Sequence, residues 1–270
     1  EREHEIELFN PEEFWTLSIQ FNDDDKNSLL ASITQLNDKK IEKFSFRNKA
    51  DVDKAINEVK SKKFQINDIS SKIVNRNPSG PFTTSTLQQV SSGRLGFGAS
   101  RTMQIAQKLY QGIEVNGETI GLITYMRTDG TNLSTDAIDA FRKYIKSEFG
   151  TEYTPDNATN YSGKKAKNAQ EAHEAIRPTD IMRAPDTVKK YLSPDQHKLY
   201  DLIWSRALSS QMKPAQFDRN TITISSNDNG TICKASGSVI KFDGFLKVMK
   251  DNKKEDDEDF LPEMKKGPVN

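Results

Sequence analysis

Tyr125 and Arg127 stand two residues apart in "ITYMRTDGT" (residues 123–131), where an apolar run turns polar. In an extended segment residues i and i+2 share a face, so phenol and guanidinium can meet one phosphate, with Asp129 next on that side. The rigid fork of donors on arginine matches phosphate oxygens and would neutralise charge there as a phenol oxygen attacks phosphorus. Tyrosine is a poor nucleophile at neutral pH, its free pKa being about 10. It therefore needs a cationic neighbour or a base. Arg127 supplies the former, while Asp129 either orients Arg127 or ends a turn with Gly130. The alternative is structural: a tyrosine closing a strand, its ring packed and its hydroxyl wet.

A second cluster is "AQEAHEAIRPTD" (169–180). If this stretch is helical, His173 and Arg177 share a face, Glu171 and Glu174 flank them, and Pro178 makes Arg177 the end of the helix. A surface helix laced by ion pairs accounts for the same spacing. His197 lies four residues before Asp201 and reads as an exposed partner of that carboxylate, without a functional role. No phosphate loop of the Gly-x-x-x-x-Gly-Lys-Ser/Thr type is present; "RLGFGASR" (94–101) holds only a Gly-x-Gly, the mark of a tight turn. The histidines His4, His173 and His197 are scattered, which argues against a zinc site.

These residues must be positioned by a chain of 270 residues, enough for one large domain or two smaller ones. Lys plus Arg and Asp plus Glu balance at 39 each, so any basic surface is local. Between 160 and 190 seven basic residues face four acidic ones, a modest excess suited to a nucleic-acid backbone. The single cysteine, Cys233, excludes an internal disulfide and a multi-cysteine zinc site and fits a reducing compartment. No apolar run approaches a membrane span, and a cytoplasmic location is expected. The opening "EREHEIELFN" has no initiator Met and no signal-like segment, as though a helix were already running in a longer protein.

Period-2 patterns in "FWTLSIQF", "SLLASITQL" and "IEKFSF" predict an antiparallel meander over 14–46. Val52, Ala55, Ile56 and Val59 mark an amphipathic helix, and "FQINDISSKIV" (64–74) a further strand. Helices are expected in "TTSTLQQVSSGRL" and "SRTMQIAQKLY", the second capped by Gly112, and from Ser134 through Phe149. "ETIGLITY" (118–125) reads as one buried extended run, 151–169 as a polar loop, and "SPDQ" (193–196) as a capping box opening a helix. Strand patterns return in "DRNTITISS", "GTICKASGSVI" and "GFLKVM". The fold class is thus α+β: a mainly helical domain, 82–214, inserted into a β-rich one, 22–81 and 215–250, with a stub at 1–21 and an acidic linker at 251–270 leading to the next segment.

Three blocks, "PFTTSTLQQVSSGRLGFGASRTMQIAQKLYQG", "GLITYMRTDGTNLS" and "NAQEAHEAIRPTD", resemble the type IA DNA topoisomerases in their bacterial topoisomerase I branch. They stand in that family's order, and weaker similarity extends from "EREHEIELFNPEEFW" to "DGFLKV". "YMRTD" followed by "HEAIRPT" is the specific combination.

The resemblance implies that Tyr125 attacks a single-strand phosphodiester, joins the 5′ phosphate and frees a 3′ hydroxyl. Arg127 would position the scissile phosphate, and His173 and Arg177 would line the DNA path. It implies an ATP-independent enzyme that passes a second strand, religates and relaxes negative supercoils, and partners that are single-stranded and negatively supercoiled DNA on the bacterial nucleoid. The β-rich part would be the hinge of a gate and the helical part its blade. The family's N-terminal acidic domain, which holds Mg²⁺, and its C-terminal zinc modules have no counterpart in these residues. This stretch is therefore expected to be inactive without that domain, its partner within the same protein, and to hold no metal. Gly130 replaces a serine common in bacterial members. Rival readings are a topoisomerase III-like decatenase, against which Met126 argues, and a non-enzymatic single-strand-binding or interaction module.

Overall fold

The computed structural model describes residues 2–22, 27–161, 174–249, 261–262 and 264–270. In chain order its elements are α1 (Arg2–Glu7), β1 (Ser18–Asn22), β2 (Ser28–Leu36), β3 (Lys39–Lys40), α2 (Lys49–Lys60), β4 (Phe64–Arg76), α3 (Thr84–Leu95) and α4 (Ala99–Gln111). There follow β5 (Ile113–Val115), β6 (Glu118–Ile120), α5 (Thr135–Glu148), α6 (Pro185–Val188), α7 (Pro194–Ser209), β7 (Ala215–Ser226), β8 (Ile232–Phe242) and β9 (Gly267–Val269). The chain divides into two compact units: one comprising 1–74, 217–241 and 257–270, the other 75–216 and 242–256. The mixed α+β class expected from the sequence is the one observed.

The first unit is built on a sheet of order β1-β2-β8-β7-β4-β9, with β3 on β2. Its two outer strands meet through reciprocal backbone bonds between Asn22 and Asn270, 2.8 and 3.0 Å, so the sheet nearly closes into a barrel. Alternation sets the inner face: Leu29, Ala31 and Ile33 of β2 are buried while Leu30 between them is exposed. Phe21 meets Phe64 edge to face at 5.2 Å inside, and the α2 stripe of Val52, Ala55 and Val59 is buried. Cys233 lies in this core, where burial pushes its thiol up to about 12, far from reactivity. Two strand expectations fail here. Residues 41–46 form turns, the meander being completed instead by β3 after an Asn37-Asp38 turn with both residues at positive φ. Phe14 and Trp15 precede the first strand, which begins only at Ser18.

The second unit packs α3, α4 and α7 around Leu87, Leu109, Leu199, Tyr200, Ile203 and Leu208, all fully buried. α7 opens with the expected capping box, Ser193 and Gln196 bonding each other's backbone, and buries half of its residues. α3 has a second capping box, Thr83 with Thr86. "GFLKVM", expected as strand, is a 3-10 turn at Gly244–Lys247 in this unit. Gly244 stands there at φ +49 with a would-be Cβ only 2.5 Å from the Pro214 carbonyl, and this close approach is incompatible with an extended run. "ETIGLITY" is not one extended run either: β5 and β6 form a hairpin around Asn116-Gly117, both at positive φ, and only Leu122 and Ile123 beyond it are buried. His197, expected as an exposed partner of Asp201, is half-buried, its Nε2 without a partner among the described residues.

Candidate active site

The segment 121–132 has almost no regular structure of its own; it is held from both sides by side chains. On one side lies 174–179, tied to it and to Phe82 by isolated bridges Ile123 to Pro178, Asn132 to Glu174 and Phe82 to Ile176. Thr124 fastens this side. Its N–H donates to the Arg177 carbonyl at 2.9 Å, its hydroxyl donates to the Ala175 carbonyl at 2.7 Å, and it accepts from the Arg177 N–H at 3.0 Å. Thr179 closes the far end, donating from its backbone to the Leu122 carbonyl and from its hydroxyl to the Gly121 carbonyl.

On the other side stands the N-terminus of α3. Thr84 accepts from the Thr128 N–H at 2.8 Å, donates its hydroxyl to the Met126 carbonyl at 2.7 Å, and donates its N–H to the Thr128 carbonyl at 2.8 Å. One of the helix's unpaired N–H groups is thereby satisfied by the loop that it fixes. Thr128 turns its own hydroxyl onto the Gly130 N–H at 3.0 Å, so Gly130 is held by its backbone.

Exposure alternates through the held stretch. Met126 and Thr128 are buried at 4% and 7%, whereas Tyr125, Arg127 and Asp129 are exposed, Tyr125 to 50%. This is the i, i+2 pattern that the spacing predicts, achieved in an irregular segment rather than at a strand end. Arg127 carries no ion pair among the described residues. The Tyr125 ring meets Tyr110 of α4 edge to face, centroids 5.3 Å apart and planes at 63°.

Arg177 differs from Arg127. Its side chain is 14% exposed and forms a two-pronged pair with Glu174 at 2.6 and 3.1 Å, with further bonds to the Pro178 carbonyl and the Ser134 hydroxyl. Burial pushes the Glu174 carboxyl up, but Arg177 and the Ser134 N–H outweigh it and hold the carboxyl below the usual glutamate range. The helix considered for 169–180 is absent from its described part: 174–179 is extended and bridged, because its backbone groups are spent on Thr124, Phe82 and Asn132. His173 and Glu171 lie outside the described residues.

Spacing alone missed Thr84, Thr124 and Tyr110. The Asn-Gly turn was the available signal for Tyr110, since the hairpin returns the chain to the end of α4. Thr84 and Thr124 leave none, because nothing in a sequence marks which loop a threonine will hold. Among the described residues no group of three or more His, Cys, Asp or Glu side chains is placed to hold a metal ion. Nor is any described helix long and apolar enough to cross a membrane.

A family model described as DNA topoisomerase matches residues 1–269. The chain is 46% identical over 268 residues to DNA topoisomerase 1 of Rickettsia felis, covering 98% of this chain and 34% of that protein. It is 41% identical over 262 residues to DNA topoisomerase 1 of Haemophilus influenzae, covering 97% and 28%. The solved full-length topoisomerase I of Thermotoga maritima matches the fold with a TM-score of 0.75 at 35% identity, over 99% of this chain and 41% of that one. The chain thus spans about a third of the length of the curated relatives it matches. A family match over nearly every residue, joined to the same fold in a solved relative, places this chain in the bacterial DNA topoisomerase family.

Proposed function

We propose that this chain is the gate segment of an ATP-independent type IA DNA topoisomerase in which Tyr125 is the nucleophile and Arg127 grips the scissile phosphate. The observation that carries the reading is the pair itself: a half-exposed phenol and an exposed guanidinium without an ion pair among the described residues, on a segment clamped by Thr84 and Thr124. The phenol oxygen attacks phosphorus. A tyrosyl O–P bond forms, the P–O3′ bond breaks, the phenol loses its proton and the 3′ oxygen gains one. One phosphodiester replaces another, so the bond energy is retained and resealing by the 3′ hydroxyl needs no nucleotide. Arg127 balances charge on the non-bridging oxygens during both steps.

Mg²⁺, held by the acidic domain that the family resemblance implies, supplies further positive charge when bound; the described residues of this chain do not cage it. The substrates are single-stranded and negatively supercoiled duplex DNA. His173 and Arg177 line the strand's path, with Arg177 fixed in place by Glu174. The β-rich unit serves as the hinge and the helical unit as the blade of a gate that passes a second strand. The setting is the cytoplasm, on the nucleoid.

The test is covalent trapping: this chain, supplied with a type IA acidic N-terminal domain, Mg²⁺ and labelled single-stranded DNA, is denatured and its retained label measured. Wild type is expected to retain label and Tyr125→Phe none, with Arg127→Ala binding DNA within about threefold of wild type but cleaving far more slowly. If DNA binds and neither wild type nor Tyr125→Phe retains label, the chain is a binding module and the nucleophile assignment fails.

A further inference from the structure

The geometry points to Tyr110 as a positioning residue for the cleavage step: its ring fixes the orientation of the Tyr125 phenol for attack. The inference rests on the reading of Tyr125 as the nucleophile and extends it to a residue outside the "YMRTD" segment.

Tyr110 is the next-to-last residue of α4, and its neighbour Leu109 is fully buried, so the helix end is anchored in the core. The chain then leaves through the β5–β6 hairpin and returns directly beneath Tyr110. The Leu122 N–H donates to the Leu109 carbonyl at 2.8 Å. Gly121 approaches so closely that a Cβ built on it would lie 2.7 Å from the Tyr110 carbonyl oxygen. Gly112, at φ +131, has Thr119 Cγ2 2.4 Å from the position of its own missing Cβ. Two glycines therefore close the loop 112–121 tightly, and that closure sets Tyr110 and Tyr125 against each other.

Tyr110 remains 42% exposed and Tyr125 50%, so the contact is not a core contact kept for burial. The edge-to-face arrangement limits rotation of the Tyr125 ring, whose backbone is already fixed by Thr124 and by the Met126 carbonyl's bond to Thr84. Clamped backbone plus buttressed ring narrow the directions open to the phenol oxygen, and orientation of this kind contributes directly to rate.

Single-turnover cleavage at saturating single-stranded DNA in the complete enzyme tests this, with DNA affinity measured in parallel. Tyr110→Ala is expected to slow covalent-complex formation about tenfold or more while affinity stays within about threefold, the order expected when ring orientation rather than docking is lost. Tyr110→Phe, which keeps the ring and removes the hydroxyl, should recover most of that rate. An unchanged rate in Tyr110→Ala overturns the proposal, as does a loss of affinity matching the loss of rate, or a Tyr110→Phe as slow as Tyr110→Ala. A second substrate separates buttressing from base stacking: with an abasic nucleotide beside the scissile phosphate, wild type should still outpace Tyr110→Ala, and equal rates would make Tyr110 a stacking platform instead. Tyr125→Phe is run alongside. Complex formation by that variant would sink the nucleophile reading itself, whereas its absence leaves the Tyr110 result to be judged alone.

Discussion

Arg127 and Arg177 have opposite surroundings although both belong to one candidate site. Arg127 is exposed and without an ion pair among the described residues, free to meet a phosphate; Arg177 is clamped by Glu174 and secures the segment that Thr124 grips. A clamp of this kind has a pH signature. The folded-state carboxyl of Glu174 is lowered, so its contribution is complete above the ordinary glutamate range, near pH 4, and is lost as pH falls through the lowered value. Glu174→Gln is expected to cost about 1–2 kcal/mol at neutral pH, because a charged hydrogen-bond pair is removed and Arg177 is left half-buried without it. Urea denaturation from neutral pH to about pH 3 should show the gap between wild type and variant narrowing at the acid end. A constant gap would mean that Glu174 acts through shape alone. At this scale the spacing of Tyr125 and Arg127 was legible, since alternate exposure needs only an extended backbone. Glu174 as a flanking partner of Arg177 was legible too, but not its setting: the spacing suggests a helix, whereas the pair forms on the extended segment 174–179.

Elements decide how rigid that segment is. α3 presents its first residue, Thr84, to the backbone of Met126 and Thr128, exchanging its unsatisfied end for a fixed loop. Thr84→Val keeps the shape and removes the hydroxyl, leaving the Met126 carbonyl and the Thr128 N–H without their partner. It should destabilise by about 1–3 kcal/mol, and in a hydrogen-exchange measurement the amides of 126–130 should lose protection while α7 keeps its own. Unchanged exchange at 126–130 would show that the bridges to 174–179 suffice. Helices with strong stripes and caps, α2, α5 and α7, were readable in advance because periodicity and capping are local properties. The β5–β6 hairpin shows in the sequence only through Asn116-Gly117, since three-residue strands are too short to show alternation. The 3-10 turn at Gly244–Lys247 escaped because a close approach to Pro214 is a non-local constraint.

At the scale of the whole molecule, the order of strands, helices and strands conveyed the mixed α+β class. Near-closure of the barrel did not show in the pattern: it depends on β9, three residues remote in sequence from β4, and on the Asn22–Asn270 pairing. The proposed role of Tyr125 rests on motifs that cooperate, the segment 123–131 with the blocks at 81–112 and 168–180. The central claim is that this tyrosine becomes covalently joined to DNA, and identification of the adduct in the complete enzyme tests it most directly. After cleavage in Mg²⁺, nuclease trimming and tryptic digestion, the peptide Leu109–Arg127 holds both Tyr110 and Tyr125, so fragmentation must separate them. A 5′-phosphonucleotide on Tyr125 and an unmodified Tyr110 are expected. An adduct on Tyr110, on a hydroxyl elsewhere, or on the 3′ side of the break would contradict it.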